Sequence, residues 1–275
     1  MRKRVVITGM GTINPLGNNL KDTWEMVSQG KSGITRITKF DATGFNVQIA
    51  GEVNNFDPQE FIDKKEIKKM DIFIQYSMAA AQEAMQNANL EITDEIAGVV
   101  GVNIGVGIGG LPRIQHYSNI VETRGPSRIS PFFIPMSISN MASGFVSIKY
   151  GTKGYNATTT SACSSANHSI GDSARIIERG DAVAMITGGA EATITSLAIG
   201  GFDAMKALSR RNDEPEKASR PYDRDRDGFV LGEGCGILIL EELEFAKSRG
   251  ANILAELVGY GVSSDAFSPF APTTE

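Results

Sequence analysis

The chain has 275 residues, 41% of them hydrophobic and 21% charged, which suffices for one large domain or two modest ones and excludes a disordered or collagen-like protein. Its net charge of -5 argues against a protein that binds nucleic acid over its whole surface. Two cysteines and two histidines are too few for a disulfide scaffold or a dedicated metal site. The sequence has no signal-peptide pattern and no apolar run of membrane-spanning length, which predicts a soluble, cytoplasmic protein.

The first hundred residues predict a short strand at 5–7, a turn-rich loop, and a helix over 19–29 with Trp24 and Val27 facing inward. A longer helix follows, because apolar residues recur there at spacings of three and four. The residues of that apolar face are Ile74, Met78, Ala81 and Met85.

The middle of the chain begins with a buried strand over 97–104 and a glycine-rich loop over 105–110. Polar residues with proline and glycine indicate irregular structure over 111–130. A helix is predicted over 134–150, and a threonine-rich strand over 157–160.

A further helix is predicted to end at Arg179 with Gly180 as its cap, followed by a strand over 182–187. Two apolar runs, 228–231 and 237–240, are predicted to pair as a hairpin. The last predicted elements are a helix over 241–249 and a strand over 253–258. Strands that alternate with helices in this way predict an α/β protein with a largely parallel central sheet.

The loop 105–110 satisfies the pattern G-x-G-x-x-G, in which a glycine-rich backbone cradles a pyrophosphate. Pro112 follows at once, and no acidic residue ends a strand about 20 residues later, as a dinucleotide site requires. We therefore interpret this loop as structural.

A concentrated positive patch lies between residues 64 and 69, which include four lysines in an otherwise acidic protein. Lys65, Lys68 and Lys69 would share one face of a helix. Such a patch either steers an acidic partner towards the protein or is simply a solvated helix end. Composition alone favours the solvated end.

Cys163 is the strongest candidate nucleophile, because it follows a strand, lies among small residues, and precedes a helix whose dipole favours a thiolate. Backbone N–H groups at the helix start are candidates to hold a developing oxyanion. His168 lies five residues on, about 140° around the helix, so we interpret it as structural. His116 is expected at the surface, and Cys235 in the core.

Short motifs along the whole chain resemble the 3-oxoacyl-[acyl-carrier-protein] synthase II family, the elongating condensing enzymes within the thiolase-like superfamily. Their order and spacing make the resemblance specific. The motifs are RVVITGMG at 4–11, KMD at 69–71, FIQY at 73–76, GIGG at 107–110, ISPFF at 129–133, ACSS at 162–165, GGAE at 188–191, ALS at 207–209, SRP at 219–221, RDGF at 226–229 and SSDA at 263–266.

The resemblance implies an α-β-α-β-α layered sandwich built from two similar halves, assembled as a homodimer, with no cofactor and no metal. It implies that a cysteine accepts an acyl chain from acyl carrier protein and that a carbanion from malonyl-carrier protein then attacks the thioester. On this basis Cys163 is the nucleophile, Ile108 and Phe202 line the acyl pocket, and Phe133 reaches the pocket across the dimer. Four lysines would meet the acidic carrier protein, which reverses the interpretation of the basic patch: Lys65, Lys68, Lys69 and Lys206.

The family's two catalytic histidines, a supporting lysine and a phenylalanine gate belong to its C-terminal half. We therefore expect residues 1–252 to form the N-terminal half and 253–275 the start of a truncated C-terminal half. Such a chain is expected to be an incomplete catalyst without the histidine pair, and to leave one face of its sheet uncovered. Two alternatives remain: a polyketide-type ketosynthase, or a non-catalytic module that docks carrier protein or caps a dimer.

Overall fold

The computed structural model describes residues 2–268. Its strands are β1 (Val5–Ile13), β2 (Thr35–Arg36), β3 (Ile49–Ala50), β4 (Val100–Gly105), β5 (Asn156–Ala157), β6 (Ala184–Glu191), β7 (Gly234–Glu242) and β8 (Ala255–Glu256). Its α-helices are α1 (Leu20–Ser28), α2 (Lys64–Ile67), α3 (Ile72–Ala88), α4 (Leu111–Arg124), α5 (Phe133–Ser137), α6 (Met141–Tyr150), α7 (Ser165–Arg179), α8 (Ser196–Ala204) and α9 (Leu243–Ser248).

The central sheet has six strands in the order β5-β4-β6-β7-β1-β8, while β2 and β3 form a separate antiparallel pair. The α/β class is confirmed, but the prediction of a largely parallel sheet is wrong. Only β5, β4 and β6 run parallel, whereas β7, β1 and β8 are paired antiparallel. The predicted hairpin is also wrong, because β7 inserts between β6 and β1 and pairs with these two strands, not with residues 228–231.

The sheet lies between two helical layers. On one face α3 and α6 bury a core that includes Phe73, Ile74 and Ile104, and the predicted apolar face of α3 is confirmed as buried. On the other face α7 packs Ala174 and Ile177 onto β6 and β7. The expectation of an uncovered sheet face is therefore wrong.

Close approach between β1 and α3 depends on two glycines of the strand. A Cβ atom on Gly9 would come within 2.2 Å of the Ala84 carbonyl oxygen, and one on Gly11 within 2.1 Å of that of Ala80. Without side chains at these positions, the long helix lies directly on the backbone of β1. The turn-rich loop predicted directly after residues 5–7 is wrong there, because the strand continues through Gly9 and Gly11 to Ile13.

The surface helix α1 confirms the predicted helix over 19–29, but the predicted direction of its apolar residues is wrong. Trp24 is 71% exposed and Val27 is 47% exposed, because this short helix buries no residue completely. Asn19 caps its start by accepting a hydrogen bond from the N–H of Asp22 at 2.8 Å. The helix is therefore held by its cap and its partly buried positions.

Two helices lie in segments for which the sequence predicted none, α4 in the polar stretch and α8 after β6. The helix predicted over 134–150 is two helices, α5 and α6, separated at extended Ile138. The predicted threonine strand is reduced to β5. Beyond it, the hydroxyls of Thr159 and Thr160 donate to the side chain of Asn103 and to the carbonyl of Val106.

Candidate active site

A cleft of about 610 Å³ opens where β4 and β6 end and the turn before α7 begins. It brings together three of the residues named from the sequence: Cys163, Ile108 and Phe202. Phe229 shares the lining and contacts the ring of Phe202 edge-on, with 5.4 Å between ring centroids. The cleft is thus a largely apolar space beside one exposed thiol.

Cys163 lies on a tight turn that the hydroxyl of Ser165 holds in place. Ser165 is buried; its Oγ accepts the N–H of Ser161 at 2.9 Å and donates to the carbonyl of Ala162 at 2.7 Å. Ala162 has a φ of 51°, a left-handed conformation that costs free energy in any residue with a Cβ. The turn therefore presents the thiol at a fixed place just before α7.

The start of α7 lies close to the strand ends because two glycines leave room for it. A Cβ on Gly105 would lie 2.3 Å from the carbonyl oxygen of Ser165, and one on Gly189 would lie 2.5 Å from the Cβ of Ala166. Any larger residue at either position would push the helix, and Cys163 with it, away from the sheet.

Two backbone donors next to the thiol are used inside the turn, and the expectation that N–H groups at the helix start hold an oxyanion stays a prediction. The N–H groups of Ser164 and Ser165 bond back to the carbonyls of Ser161 and Ala162, both at 3.1 Å. These two groups close the turn and are not available to a substrate oxygen.

Neither histidine faces the thiol of Cys163. The Nδ1 of His168 lies 2.6 Å from the Oγ of Ser161, and its ring lines a separate groove beside Tyr260. His116 is exposed on α4, where its ring contacts that of Tyr117. Both placements agree with the predicted structural and surface roles.

The N–H groups of the glycine-rich loop bind a carboxylate of the protein itself, that of Glu191. The Oε2 atom of Glu191 accepts the N–H of Ile108 at 2.7 Å, and its Oε1 atom accepts that of Gly109 at 3.0 Å. Burial raises the pKa of Glu191 from its ordinary value. The structure thus agrees with the structural interpretation of the G-x-G-x-x-G pattern, since a carboxylate occupies the backbone cradle. Sequence reasoning included Glu191 in the motif GGAE at 188–191 but assigned it no role.

The second cysteine is inert by its surroundings. Cys235 is buried in the core between the sheet and α3, and burial raises the pKa of its thiol to about 12. Its predicted structural role is confirmed by this burial.

Phe133 lies outside the cleft in its own chain. It begins α5, and its ring contacts that of Tyr117 on α4 at a centroid distance of 5.1 Å. Within this chain the structure therefore does not bring Phe133 to Cys163.

The four lysines named for partner binding lie on two separate segments. Lys65 and Lys68 are exposed at α2, and Lys206 is exposed after α8 with a φ of 56°. Lys69 is half-buried, pairs with Glu66 at 2.6 Å and lies 5.6 Å from the centroid of the Phe132 ring. The prediction that Lys65, Lys68 and Lys69 share one helical face is wrong, because α2 ends at Ile67, before the last two of them.

Within residues 2–268, no cluster of His, Cys, Asp or Glu side chains is arranged to hold a metal ion. No helix in that same part of the chain combines the length and apolar character needed to cross a membrane.

Comparison with known proteins gives close relatives over the full length of this chain. The 3-oxoacyl-[acyl-carrier-protein] synthase 2 of Coxiella burnetii is 53% identical over 274 residues, covering 100% of this chain and 66% of the relative. A crystal structure of a beta-ketoacyl synthase from Burkholderia phymatum superposes with a TM-score of 0.87 at 32% identity, over 96% of this chain and 65% of that one. A ketosynthase solved in complex with a type II polyketide acyl-carrier protein superposes with a TM-score of 0.82 at 32% identity, over 94% of this chain and 63% of that one.

The chain thus spans 66% of the length of the Coxiella burnetii relative, and the thiolase-like fold of the ketosynthases is the fold seen here. The sequence profile described as the N-terminal domain of beta-ketoacyl synthase matches residues 2–246. This chain therefore belongs to the beta-ketoacyl synthase family.

Proposed function

We propose that this chain provides the acyl-accepting site of a 3-oxoacyl-[acyl-carrier-protein] synthase in fatty-acid elongation. The thiolate of Cys163 attacks the thioester carbonyl of an acyl-carrier protein. A new C–S bond forms, the bond to the carrier's sulfur breaks, and the carrier leaves as a thiolate that takes up a proton from water. The observation that carries the proposal is the exposed Cys163 at the edge of an apolar cleft lined by Ile108 and Phe202.

In the second half-reaction, loss of CO₂ from malonyl-carrier protein leaves a carbanion that attacks the Cys163 thioester and frees the sulfur. The family resemblance assigns the stabilisation of that carbanion to two histidines of the C-terminal half. Neither His116 nor His168 is placed to serve in their stead, since one is exposed on α4 and the other is bonded to Ser161. We assign residues 1–252 to the N-terminal half and 253–275 to the start of the C-terminal half.

Acyl carrier protein is the partner we propose for the exposed lysines. Lys65, Lys68 and Lys206 offer positive charge on a protein whose net charge is -5, so an acidic partner would be steered to them. A ketosynthase with a TM-score of 0.82 to this chain was solved with its acyl-carrier protein. We propose further that the protein acts in the cytoplasm as a homodimer in which Phe133 reaches the partner's cleft.

Two alternatives are weaker on specific grounds. A polyketide-type ketosynthase shares the fold, but the solved polyketide complex is 32% identical, against 53% for the fatty-acid relative. A non-catalytic docking module would not need an exposed thiol at a strained turn beside an apolar cleft.

The test is to incubate the purified chain with acyl-carrier protein loaded with a medium-length acyl chain and to locate the acyl group by mass spectrometry of peptides. We expect acylation at Cys163, none at Cys235, and none in Cys163→Ser. An unmodified Cys163, or acylation at Cys235 instead, would overturn the proposal.

A further inference from the structure

The carboxylate of Glu191 joins the end of the central sheet to the loop that carries Ile108. Glu191 is the last residue of β6 and pairs there with Gly234 of β7, so its backbone is fixed by the ladder. Its two oxygens take up the N–H groups of two consecutive loop residues, Ile108 at 2.7 Å and Gly109 at 3.0 Å. Hydrogen bonds to an ionised acceptor are among the stronger ones in proteins.

The loop is shaped to close on this carboxylate. The N–H groups of Ile108 and Gly109 both point at this carboxylate, and Gly109 has a φ of 84°, so the backbone here makes a concave site for an anion. A Cβ on Gly107 would lie 2.9 Å from the Oε2 atom of Glu191, so the glycine leaves the space that the side chain fills. Both features indicate that the loop and Glu191 form one unit.

Ile108 depends on this unit for its position. Its side chain is 43% exposed at the cleft, so packing holds it only in part, while its own N–H is bonded to Glu191. The same cleft contains Cys163. A loosened loop would let Ile108 move and would change the length of the space beside the thiol.

We propose that Glu191 is a positioning residue that sets the acyl-chain-length preference of the cleft by clamping Ile108. The inference rests on the proposed role of Cys163 as the acyl acceptor. Glu191 does not touch the acyl group in this account; it acts through the backbone of residues 108 and 109.

The experiment compares the wild-type chain with Glu191→Ala, Glu191→Gln and Ile108→Ala. The rate of Cys163 acylation is measured with hexanoyl- and tetradecanoyl-carrier protein, and amide hydrogen exchange is followed at Ile108 and Gly109. We expect exchange at these two amides to accelerate by ~10- to 100-fold in Glu191→Ala, the range for losing a hydrogen bond to a charged group. The ratio of the two acylation rates should shift in the same direction as in Ile108→Ala.

Glu191→Gln keeps the shape and one acceptor oxygen, so we expect an intermediate shift in both measurements. Glu52→Gln is the matched control, because the buried Glu52 carboxylate also accepts two consecutive N–H groups, from Thr38 and Lys39, outside the cleft. It should accelerate exchange at those two amides and leave the ratio of rates unchanged.

The outcomes separate the two proposals. Suppose that Ile108→Ala shifts the ratio of the two acylation rates. The positioning role is then overturned if Glu191→Ala and Glu191→Gln speed amide exchange at Ile108 and Gly109 but leave that ratio unchanged. If Ile108→Ala also leaves the ratio unchanged, the proposed lining role of Ile108 fails with it. If the wild-type Cys163 is not acylated at all, the proposed function itself is wrong.

Discussion

At the scale of single residues, this protein separates its two thiols by their environment alone. Cys163 is exposed beside the cleft, while Cys235 is buried between the sheet and α3. The thiolate is the reactive form of cysteine, and burial disfavours it by raising the pKa of the Cys235 thiol to about 12.

We therefore expect an alkylating reagent to label Cys163 while Cys235 stays unmodified at neutral pH in the folded protein. The rates are measured by quenched labelling and mass spectrometry between pH 6 and pH 9. In denaturant the two thiols should become equally reactive, which serves as the control. Equal labelling in the folded protein would contradict the assignment.

A second residue-scale feature is the buried carboxylate of Asp71 at the start of α3. Its nearest cation is Arg113, with 3.7 Å between Oδ2 and Nε. Burial outweighs this partner and raises the pKa of Asp71 from 3.8 to about 6. Because the folded state binds this proton more tightly than the unfolded state, the contribution to stability is full below about pH 4 and is lost as the pH rises through about 6.

We expect Asp71→Asn to abolish this pH-dependent loss of stability. A shift of the pKa from 3.8 to about 6 corresponds to a loss on the order of 3 kcal/mol in the free energy of unfolding. The measurement is urea unfolding of both proteins at pH 4 and pH 8. The variant should gain free energy of unfolding relative to wild type as the pH rises. A constant difference between the two proteins at both pH values would show that Asp71 does not titrate in this range.

At the scale of elements, the fold depends on helices that lie directly on glycine-containing strands. The contact of α3 with β1 runs through Gly9 and Gly11, and the contact of α7 with the strand ends runs through Gly105 and Gly189. The first contact holds the core, and the second holds the turn that carries Cys163.

Gly11→Ala tests the first contact, since its Cβ would lie 2.1 Å from the carbonyl oxygen of Ala80. Backbone atoms of a long helix cannot move aside individually, so we expect a loss of ~1–3 kcal/mol or more in the free energy of unfolding. Gly236→Ala is the matched control, because Gly236 is paired with Thr12 in the same sheet and its Cβ would meet nothing within 4 Å. Equal stability changes in the two variants would contradict this account of the contact.

At the scale of the whole molecule, charge is distributed unevenly over an acidic protein. The net charge is -5, yet Lys65 and Lys68 are exposed together at α2, and Lys69 beside them pairs with Glu66. Exposed charges act mainly on the rate of encounter and are screened by salt.

We expect Lys65→Glu combined with Lys68→Glu to slow association with acyl carrier protein, with little change in thermal stability. The wild-type association rate should fall as salt is raised from low to physiological concentration, and the variant should show a weaker dependence. Stopped-flow fluorescence or surface-bound carrier protein gives these rates. Lys31→Glu, a charge reversal at an exposed lysine after α1, is the control. Equal rates in the double variant and wild type would remove the patch as the docking surface.

The sequence by itself determined the features that depend on neighbours along the chain. The apolar face of α3, the buried strand β4 and the Gly180 cap of α7 follow from spacing and from single residues, and the structure confirms each. The place of Cys163 before a helix follows from local order in the same way. The family also followed from the sequence, because its motifs are short and lie in a fixed order.

Only the tertiary structure decided what distant segments do to one another. Three features carry no local signal in the sequence. They are the insertion of β7 between β6 and β1, the exposure of Trp24, and the hydrogen bonds of the Glu191 carboxylate to a loop more than eighty residues before it. Strand partners and buried acceptors are chosen by the free energy of the assembled core, in which every buried N–H group must find an acceptor. Periodicity along the chain reports which face of an element is apolar, but it does not report what that face will meet.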